Sequence, residues 1–181
     1  MILNTVIFDM DGLLIDSEPL WYEAAQESLK QFNVHIEEDE YNTTTGLRTP
    51  EFLQHWFKVF DINEKYLSST EEDILKRVTQ KITSKGNMMD GVEHALNIFS
   101  DAGFKIGLAS SSPHSVIDSV LEKIQLKNSF TAVSSAEHLL YGKPHPQVFL
   151  DCAAALKSEP TNCICVEDSF NGLIEIGRAH V

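Results

Sequence analysis

The chain has 181 residues, of which 43% are hydrophobic and 23% charged, so it can bury the core of one main domain with a small insertion. Its formal net charge of -13 argues against a nucleic-acid or anionic-membrane partner, because both require a surplus of Lys and Arg. Its three cysteines are an odd number, and we interpret them as reduced thiols rather than as a disulfide framework or a metal site.

Nothing in the sequence predicts a membrane span or export. No apolar run approaches the roughly 20 residues of a membrane-spanning helix. The N-terminal segment Met1-Ile2-Leu3-Asn4 has no basic region followed by an apolar stretch, as a signal peptide would have. We therefore expect a globular, cytoplasmic protein, and we expect it to be a monomer.

The first predicted element is a short buried strand over residues 5–8. This run is β-branched and aromatic, and it ends abruptly at the polar segment Asp9-Met10-Asp11-Gly12. A long helical stretch follows, because apolar residues recur at helical spacing over residues 17–32, 52–60 and 74–82. The acidic run at residues 37–40 is interpreted as a solvated face.

After Gly86 the pattern changes to short apolar runs that alternate with helices, which predicts a parallel sheet with helices on both faces. The predicted helices are residues 92–102, 116–124 and 146–156, and the predicted strands are residues 106–109, 131–133 and 163–166. The fold class is therefore α/β, a Rossmann-like parallel sheet flanked by helices. Residues 1–16 and 86–181 are expected to form this core, and residues 17–85 an inserted helical unit.

Residues suited to phosphate chemistry follow each predicted strand, where ligands of open parallel sheets bind. They are Asp9, Asp11, Ser110, Ser111, Ser112, Lys143, Glu167 and Asp168. Asp9 can attack phosphorus only if a cation screens its charge from the phosphate, and Mg²⁺ prefers oxygen ligands. We expect Mg²⁺ on Asp9, Asp168 and the backbone carbonyl of Asp11, with Glu167 holding a bound water.

Asp11 is a candidate general acid and base, because it lies two residues beyond Asp9 and can reach the leaving oxygen. Lys143 and the hydroxyl and N–H groups of Ser110 and Ser111 are expected to neutralise the phosphoryl oxygens. Simpler interpretations exist for these segments. An isolated DxD is also typical of a solvated turn, and serines before Pro113 are typical of a helix start.

Taken together, these segments resemble the four motifs of haloacid dehalogenase superfamily phosphatases. They are Asp9-Met10-Asp11-Gly12-Leu13-Leu14-Ile15-Asp16-Ser17-Glu18, Leu108-Ala109-Ser110, Gly142-Lys143-Pro144-His145-Pro146 and Val166-Glu167-Asp168-Ser169. The resemblance covers the chain up to about Leu173. It implies that the helical insertion is a cap that closes over the site, and that Asp9 is the nucleophile that takes the phosphoryl group.

Within that superfamily, the chain is similar to the hexitol phosphatase and 2-deoxyglucose-6-phosphate phosphatase subgroup. The similar segments are Ile15-Asp16-Ser17-Glu18-Pro19-Leu20-Trp21, Gly46-Leu47-Arg48 and Lys143-Pro144-His145-Pro146-Gln147-Val148. This implies a phosphorylated six-carbon sugar or sugar alcohol as substrate. Arg48 is expected to reach the substrate, although a solvated arginine is about as compatible with its surroundings. Asn171, which follows the fourth motif, is a further candidate for substrate binding.

Three rival interpretations remain open from the sequence. The first is a β-phosphoglucomutase-type enzyme, which shares the aspartyl phosphate but carries a Thr and a His near the positions of Ser17 and Trp21. The second is a dehalogenase, which would need neither Asp11 nor a metal. The segment Gly177-Arg178-Ala179-His180-Val181 resembles nothing in the family, whose members continue with one more strand and helix. We therefore expect a core that lacks them, and an inactive truncated fragment is the third rival.

Overall fold

The computed structural model describes residues 3–179 of the chain. Met1 and Ile2, at the start of the segment tested for a signal peptide, lie outside the described residues. So do His180 and Val181, at the end of the segment without family resemblance. Within the described part of the chain, no helix is long and apolar enough to cross a lipid bilayer.

A parallel sheet forms the centre of the fold, which confirms the predicted α/β class. Its strands are β1 (Thr5–Phe8), β2 (Lys105–Ser110), β3 (Ala132–Ser135) and β4 (Cys163–Val166). They lie in the order β3-β2-β1-β4, and every neighbouring pair is parallel. The carboxyl ends of all the strands therefore meet at one edge of the sheet, the edge at which ligands bind in such folds.

Helices precede, connect and follow the strands. They are α1 (Glu18–Leu29), α2 (Glu38–Asn42), α3 (Thr49–Val59), α4 (Leu67–Lys85), α5 (Val92–Asp101), α6 (His114–Lys123), α7 (Gln147–Ala155) and α8 (Phe170–Ala179). Short 3-10 turns lie at Lys30–Phe32, directly after α1, at Glu64–Tyr66, directly before α4, and at Pro160–Asn162, directly before β4.

β1 is buried on both faces, which explains its unbroken apolar sequence. Successive side chains of a strand point to opposite faces. Val6 and Phe8 accordingly pack in one core with Val116 of α6, whereas Ile7 packs in a second core with Phe149 of α7. Helices thus cover both faces of the sheet, as the alternating pattern predicted.

The helices α1–α4 lie between β1 and β2 along the chain. α1 packs along α4, with Ala24 and Leu29 of α1 and Val78 of α4 fully buried. The acidic run contains a short helix that the sequence did not predict. Glu37 and Glu40 form a capping box at the start of α2, and both side chains stay exposed, as expected of a solvated face.

β4 lies at the edge of the sheet and, among the described residues, pairs only with β1. Cys163 and Cys165 on this strand and Cys152 on α7 are all free thiols. Cys152 and Cys163 are buried and Cys165 is half-buried. This agrees with their interpretation as reduced thiols.

Candidate active site

Asp9 lies where β1 and β4 end side by side. Its backbone N–H donates to the carbonyl of Val166 at 2.9 Å, which continues the ladder by one residue and directs the chain of Asp9 over the sheet edge. The Asp9 side chain is 7% exposed and that of Lys143 is 1% exposed, and they meet as a buried ion pair. Lys143 Nζ lies 3.0 Å from Asp9 Oδ1 and 2.6 Å from Glu167 Oε2. The ammonium of Lys143 is therefore shared between the carboxylates of Asp9 and Glu167.

Asp9, Glu167 and Asp168 form a cluster in which one carboxylate oxygen from each residue lies within 4.8 Å of those from the other two. Two glycines leave room for it. A Cβ added to Gly12, which has a φ of +74°, would overlap the Asp168 carboxylate, and a Cβ added to Gly172 would overlap that of Glu167. The space is thus reserved for an all-oxygen donor set, which suits Mg²⁺.

The electrostatics of the cluster indicate that it has too little positive charge. Burial raises the pKa of Asp9 to about 8, an effect that Lys143 reduces and the neighbouring Glu167 increases. Burial also raises the pKa of Glu18 to about 8 and that of Asp168 above its ordinary value, in both cases with help from nearby carboxylates. Burial alone would lower the pKa of Lys143, but the facing carboxylates outweigh it and raise that pKa. A divalent cation would relieve this repulsion, so the residues fit one.

Asp11 is held by hydrogen bonds on both carboxylate oxygens. Oδ1 accepts from Ser17 Oγ at 2.6 Å and from Trp21 Nε1 at 2.9 Å, whereas Oδ2 accepts from Ser112 Oγ at 2.7 Å. The Asp11 carboxylate is therefore not part of the cluster formed by Asp9, Glu167 and Asp168. Its side chain is oriented beside that cluster by groups from α1 and from the loop after β2.

The serine loop after β2 lies against the same space. Ser110 is buried, and its Oγ accepts from the N–H of Ser112 at 3.0 Å. Ser111 Oγ donates to the carbonyl of Gly46 at 2.8 Å, which links the loop to the helical insertion. α6 then starts at His114. The loop thus combines the start of a helix with two hydroxyls near Asp9.

The segment between α2 and α3 makes further contacts with the core. Arg48 Nη1 donates to the carbonyls of Ala136 and Leu139 at 2.9 and 2.6 Å, and its Nε donates to the Glu51 carboxylate. Asn171 Nδ2 donates to the carbonyl of Thr45 at 2.9 Å. Residues of the loops after β2 and β3 and of the first turn of α8 all bind this one segment, so the insertion is closed over the sheet edge.

A cavity of about 60 Å³ lies between the insertion and the sheet edge. Of the residues that the sequence predicted, those that line it are Asp9, Asp11, Arg48, Ser110, Ser111, Lys143 and Asp168. Glu167 and Asn171 lie beside it and touch its lining through Lys143 and Thr45. At about 10–15 Å³ per water, this space holds only a few waters. The cavity is therefore too small for a ligand much larger than a few waters.

Some lining residues were not predicted as part of the site. Trp21 binds Asp11 from α1, and Ser112, which the sequence did place at the site, binds it from the loop after β2. Glu18 and Tyr41 also line the cavity. Ser17 and Trp21 are four residues apart, so they share one face of the first helical turns, and this spacing was the available signal. It becomes meaningful only once Asp11 is known to lie beneath that face.

The comparisons with known proteins agree with this arrangement. A family model described as haloacid dehalogenase-like hydrolase matches residues 6–180. Hexitol phosphatase B of Escherichia coli K12 is 40% identical over 169 residues, which cover 93% of this chain and 76% of that protein. β-Phosphoglucomutase of Bacillus subtilis is 26% identical over 184 residues, covering 98% of this chain and 80% of that protein.

The fold is similar to that of a solved relative as well. The crystal structure of β-phosphoglucomutase from Clostridium difficile superposes with a TM-score of 0.88 at 26% identity. The match covers 99% of this chain and 82% of that one.

Proposed function

The chain belongs to the haloacid dehalogenase-like hydrolase family, and we propose that it hydrolyses a small sugar phosphate or sugar-alcohol phosphate by way of a phosphoryl group carried on Asp9. The 40% identity to a hexitol phosphatase supports this substrate class. The observation that carries the proposal is the position of Lys143, whose Nζ lies 3.0 Å from Asp9 Oδ1 at the bottom of a cavity closed by the helical cap. We give the name helical cap to residues 17–85 and propose that they move as one unit.

Mg²⁺ is part of the proposal. Asp9, Asp168 and the backbone carbonyl of Asp11 would hold it, with Glu167 beside them to bind a coordinated water. The all-oxygen cluster and the raised pKa values of Asp9 and Asp168 support such a site. When bound, the ion supplies positive charge that allows carboxylate and phosphate to approach each other.

In the first half-reaction a carboxylate oxygen of Asp9 forms a bond to phosphorus while the bond from phosphorus to the ester oxygen breaks. The ester oxygen keeps the electron pair and takes a proton from Asp11, so the alcohol leaves neutral. Lys143 and the hydroxyls of Ser110 and Ser111 would stabilise the charge on the phosphoryl oxygens during transfer.

In the second half-reaction a water attacks the phosphoryl group on Asp9. The water gives its proton to Asp11, now a carboxylate, and the bond between phosphorus and the Asp9 oxygen breaks. Inorganic phosphate leaves, and both aspartates return to their starting states. A single residue thus serves as acid and then as base, which the side-by-side positions of Asp9 and Asp11 at the end of β1 support.

Arg48 and Asn171 remain our candidates for contact with the substrate. Arg48 lines the cavity, although its Nη1 binds core carbonyls in the closed arrangement. Asn171 binds the carbonyl of Thr45, which also lines the cavity. We propose that cap opening releases both side chains and that substrate replaces some of these bonds on closure.

A panel of hexose phosphates and hexitol phosphates, assayed for inorganic phosphate with and without Mg²⁺, tests the proposal. We expect phosphate release that requires the ion. The second candidate is a phosphomutase, because two of the similar proteins are β-phosphoglucomutases. Formation of an isomeric sugar phosphate without phosphate release would favour the mutase, and no reaction with any substrate would contradict both.

A further inference from the structure

Trp21 has two separate contacts with the site that the mechanism above does not use. Its ring lines the cavity from the first helix of the cap, and its Nε1 donates to Asp11 Oδ1 at 2.9 Å. Ser17, the residue directly before α1, donates to the same oxygen at 2.6 Å. The other oxygen of Asp11, Oδ2, is bound by a core residue, Ser112. The two oxygens of Asp11 therefore depend on different parts of the molecule.

The donors differ in chemistry as well as in origin. An indole N–H can only donate, whereas a serine hydroxyl can donate or accept. Oδ1 accepts from both Trp21 and Ser17, so both of its in-plane lone pairs are already used and a proton is disfavoured on this oxygen. Oδ2 faces Ser112 Oγ, which can reverse its direction and accept from a protonated Oδ2. The arrangement leaves Oδ2 as the oxygen that gives and takes the proton.

We propose that Trp21 is a positioning residue that fixes Oδ2 of Asp11 as the proton-transferring atom and makes this orientation depend on cap closure. The inference rests on the proposed hydrolase function, because it assigns a partner to the acid of that reaction. Since Trp21 and Ser17 both belong to the cap, its opening removes two of the hydrogen bonds that orient Asp11. The acid is then fully oriented only when the substrate is enclosed.

Trp21→Phe tests this, because phenylalanine keeps an aromatic ring in the cavity wall and removes only the N–H. The readout is kcat/KM for 2-deoxyglucose 6-phosphate and for p-nitrophenyl phosphate. The leaving group of 2-deoxyglucose 6-phosphate must receive a proton to leave as an alcohol. The leaving group of p-nitrophenyl phosphate leaves as a stable phenolate without one. We expect a loss of at least about tenfold for the sugar phosphate, a part of the usual contribution of general acid catalysis, and less than about threefold for p-nitrophenyl phosphate.

The matched control is Trp56→Phe, the same exchange in the same cap. Trp56 is 4% exposed and donates to Thr44 Oγ1 at 3.2 Å, with no bond to Asp11. It should change both kcat/KM values by less than about twofold, as expected for a substitution away from the reacting groups. Equal losses on the two substrates for Trp21→Phe, or no loss on either, would overturn the inference.

A second measurement does not depend on activity or on the folding of Trp21→Phe. The protein has 2 tryptophans, so its NMR spectrum contains two indole N–H signals, and the one that disappears in Trp56→Phe assigns the other to Trp21. Asp11→Ala removes the acceptor and should move the Trp21 signal upfield while the Trp56 signal stays. An unmoved Trp21 signal would overturn the inference. Failure of the wild-type protein to hydrolyse either substrate would instead count against the proposed function, and the NMR result would still stand.

Discussion

Lys143 is the residue on which the charge balance of the site depends. It is buried, and its Nζ contacts both Asp9 and Glu167. Removing one partner of such a pair leaves an uncompensated buried charge, which is costly. Its ammonium therefore allows the carboxylates of Asp9 and Glu167 to be buried together. It also lies beside the place where we expect the phosphoryl oxygens to bind.

Asp9→Asn should abolish hydrolysis without loss of the fold. A neutral amide cannot attack phosphorus, and the loss of a nucleophile lowers kcat by at least about a thousandfold. Because burial raises the pKa of Asp9 to about 8 and Glu167 still pairs with Lys143 in the variant, the amide should leave the melting temperature about unchanged. Phosphate release and thermal melting measure the two effects. Retained turnover in a folded variant would refute Asp9 as the nucleophile.

Glu175→Ala should stabilise the protein, because Glu175 is buried on α8 and neither of its carboxyl oxygens has a hydrogen-bond partner among residues 3–179. Burial raises its pKa from 4.5 to about 8, an effect that Lys143 reduces. Between these values the folded state keeps a proton that the unfolded state releases, so this group makes stability fall as pH rises. We expect a gain of about 1–3 kcal/mol, larger at pH 8.5 than at pH 4.5.

Chemical denaturation at the two pH values measures this gain. Glu122→Ala, on the exposed side of α6, is the matched control and should change little at either pH. A gain that is the same at both pH values would show that the carboxyl charge of Glu175 is not the cause.

At the scale of elements, the start of α8 is shaped by the side chain of Glu167. Gly172→Ala places a methyl group where the Glu167 carboxylate lies, although alanine is the better helix former by about 1 kcal/mol. We expect Glu167 to move away from Lys143, with weaker Mg²⁺ binding and lower kcat/KM. In the same helix, the methyl group of Gly177→Ala meets no described residue within 4 Å, so this variant should leave Mg²⁺ binding and kcat/KM unchanged. Calorimetry with Mg²⁺ and a phosphatase assay compare the two, and equal behaviour would contradict the packing argument.

The elements themselves were largely predictable from local patterns. β1 and β4 were predicted at their observed bounds, because each is a continuous apolar run that ends at carboxylates. β3 was placed too early, since its last two residues are serines that pair with β2 and extend the strand beyond the apolar run. α2 was missed because its exposed acidic residues carry no apolar periodicity, and its capping box alone defines it.

The site was predictable only in part, for a physical reason. Residues that follow strands of one parallel sheet must meet, so Asp9, Lys143 and Asp168 could be grouped from the sequence. The partners of Asp11 could not, because they depend on how the cap packs against the core. Trp21 appeared in the sequence only within a segment similar to related phosphatases, and nothing in its spacing specifies the 2.9 Å bond to Asp11.

At the scale of the whole molecule, the buried carboxylates of the site should make the free energy of unfolding depend on pH and on Mg²⁺. The raised pKa values of Asp9 and Glu18, both about 8, and of Asp168 mean that the folded state holds protons that the unfolded state has lost above about pH 4. The slope of stability against pH is therefore negative in this window. With a chelator present, the melting temperature should fall from pH 5 to pH 8.

Mg²⁺ should reverse this fall, because it replaces the protons as the positive charge among the carboxylates. At a hundred times the dissociation constant it would add about 2.7 kcal/mol of stability, or roughly 5–10 °C in melting temperature for a chain of this size. The rise should be large at pH 8 and small at pH 5, where protons compete for the same oxygens. Glu175 contributes to the fall in melting temperature measured with the chelator, but not to the rise that Mg²⁺ produces. The rise therefore reports on Asp9, Glu167 and Asp168 alone. Asp168→Asn removes a ligand and should abolish the rise, whereas a rise of equal size at both pH values would mean that the ion binds away from these carboxylates.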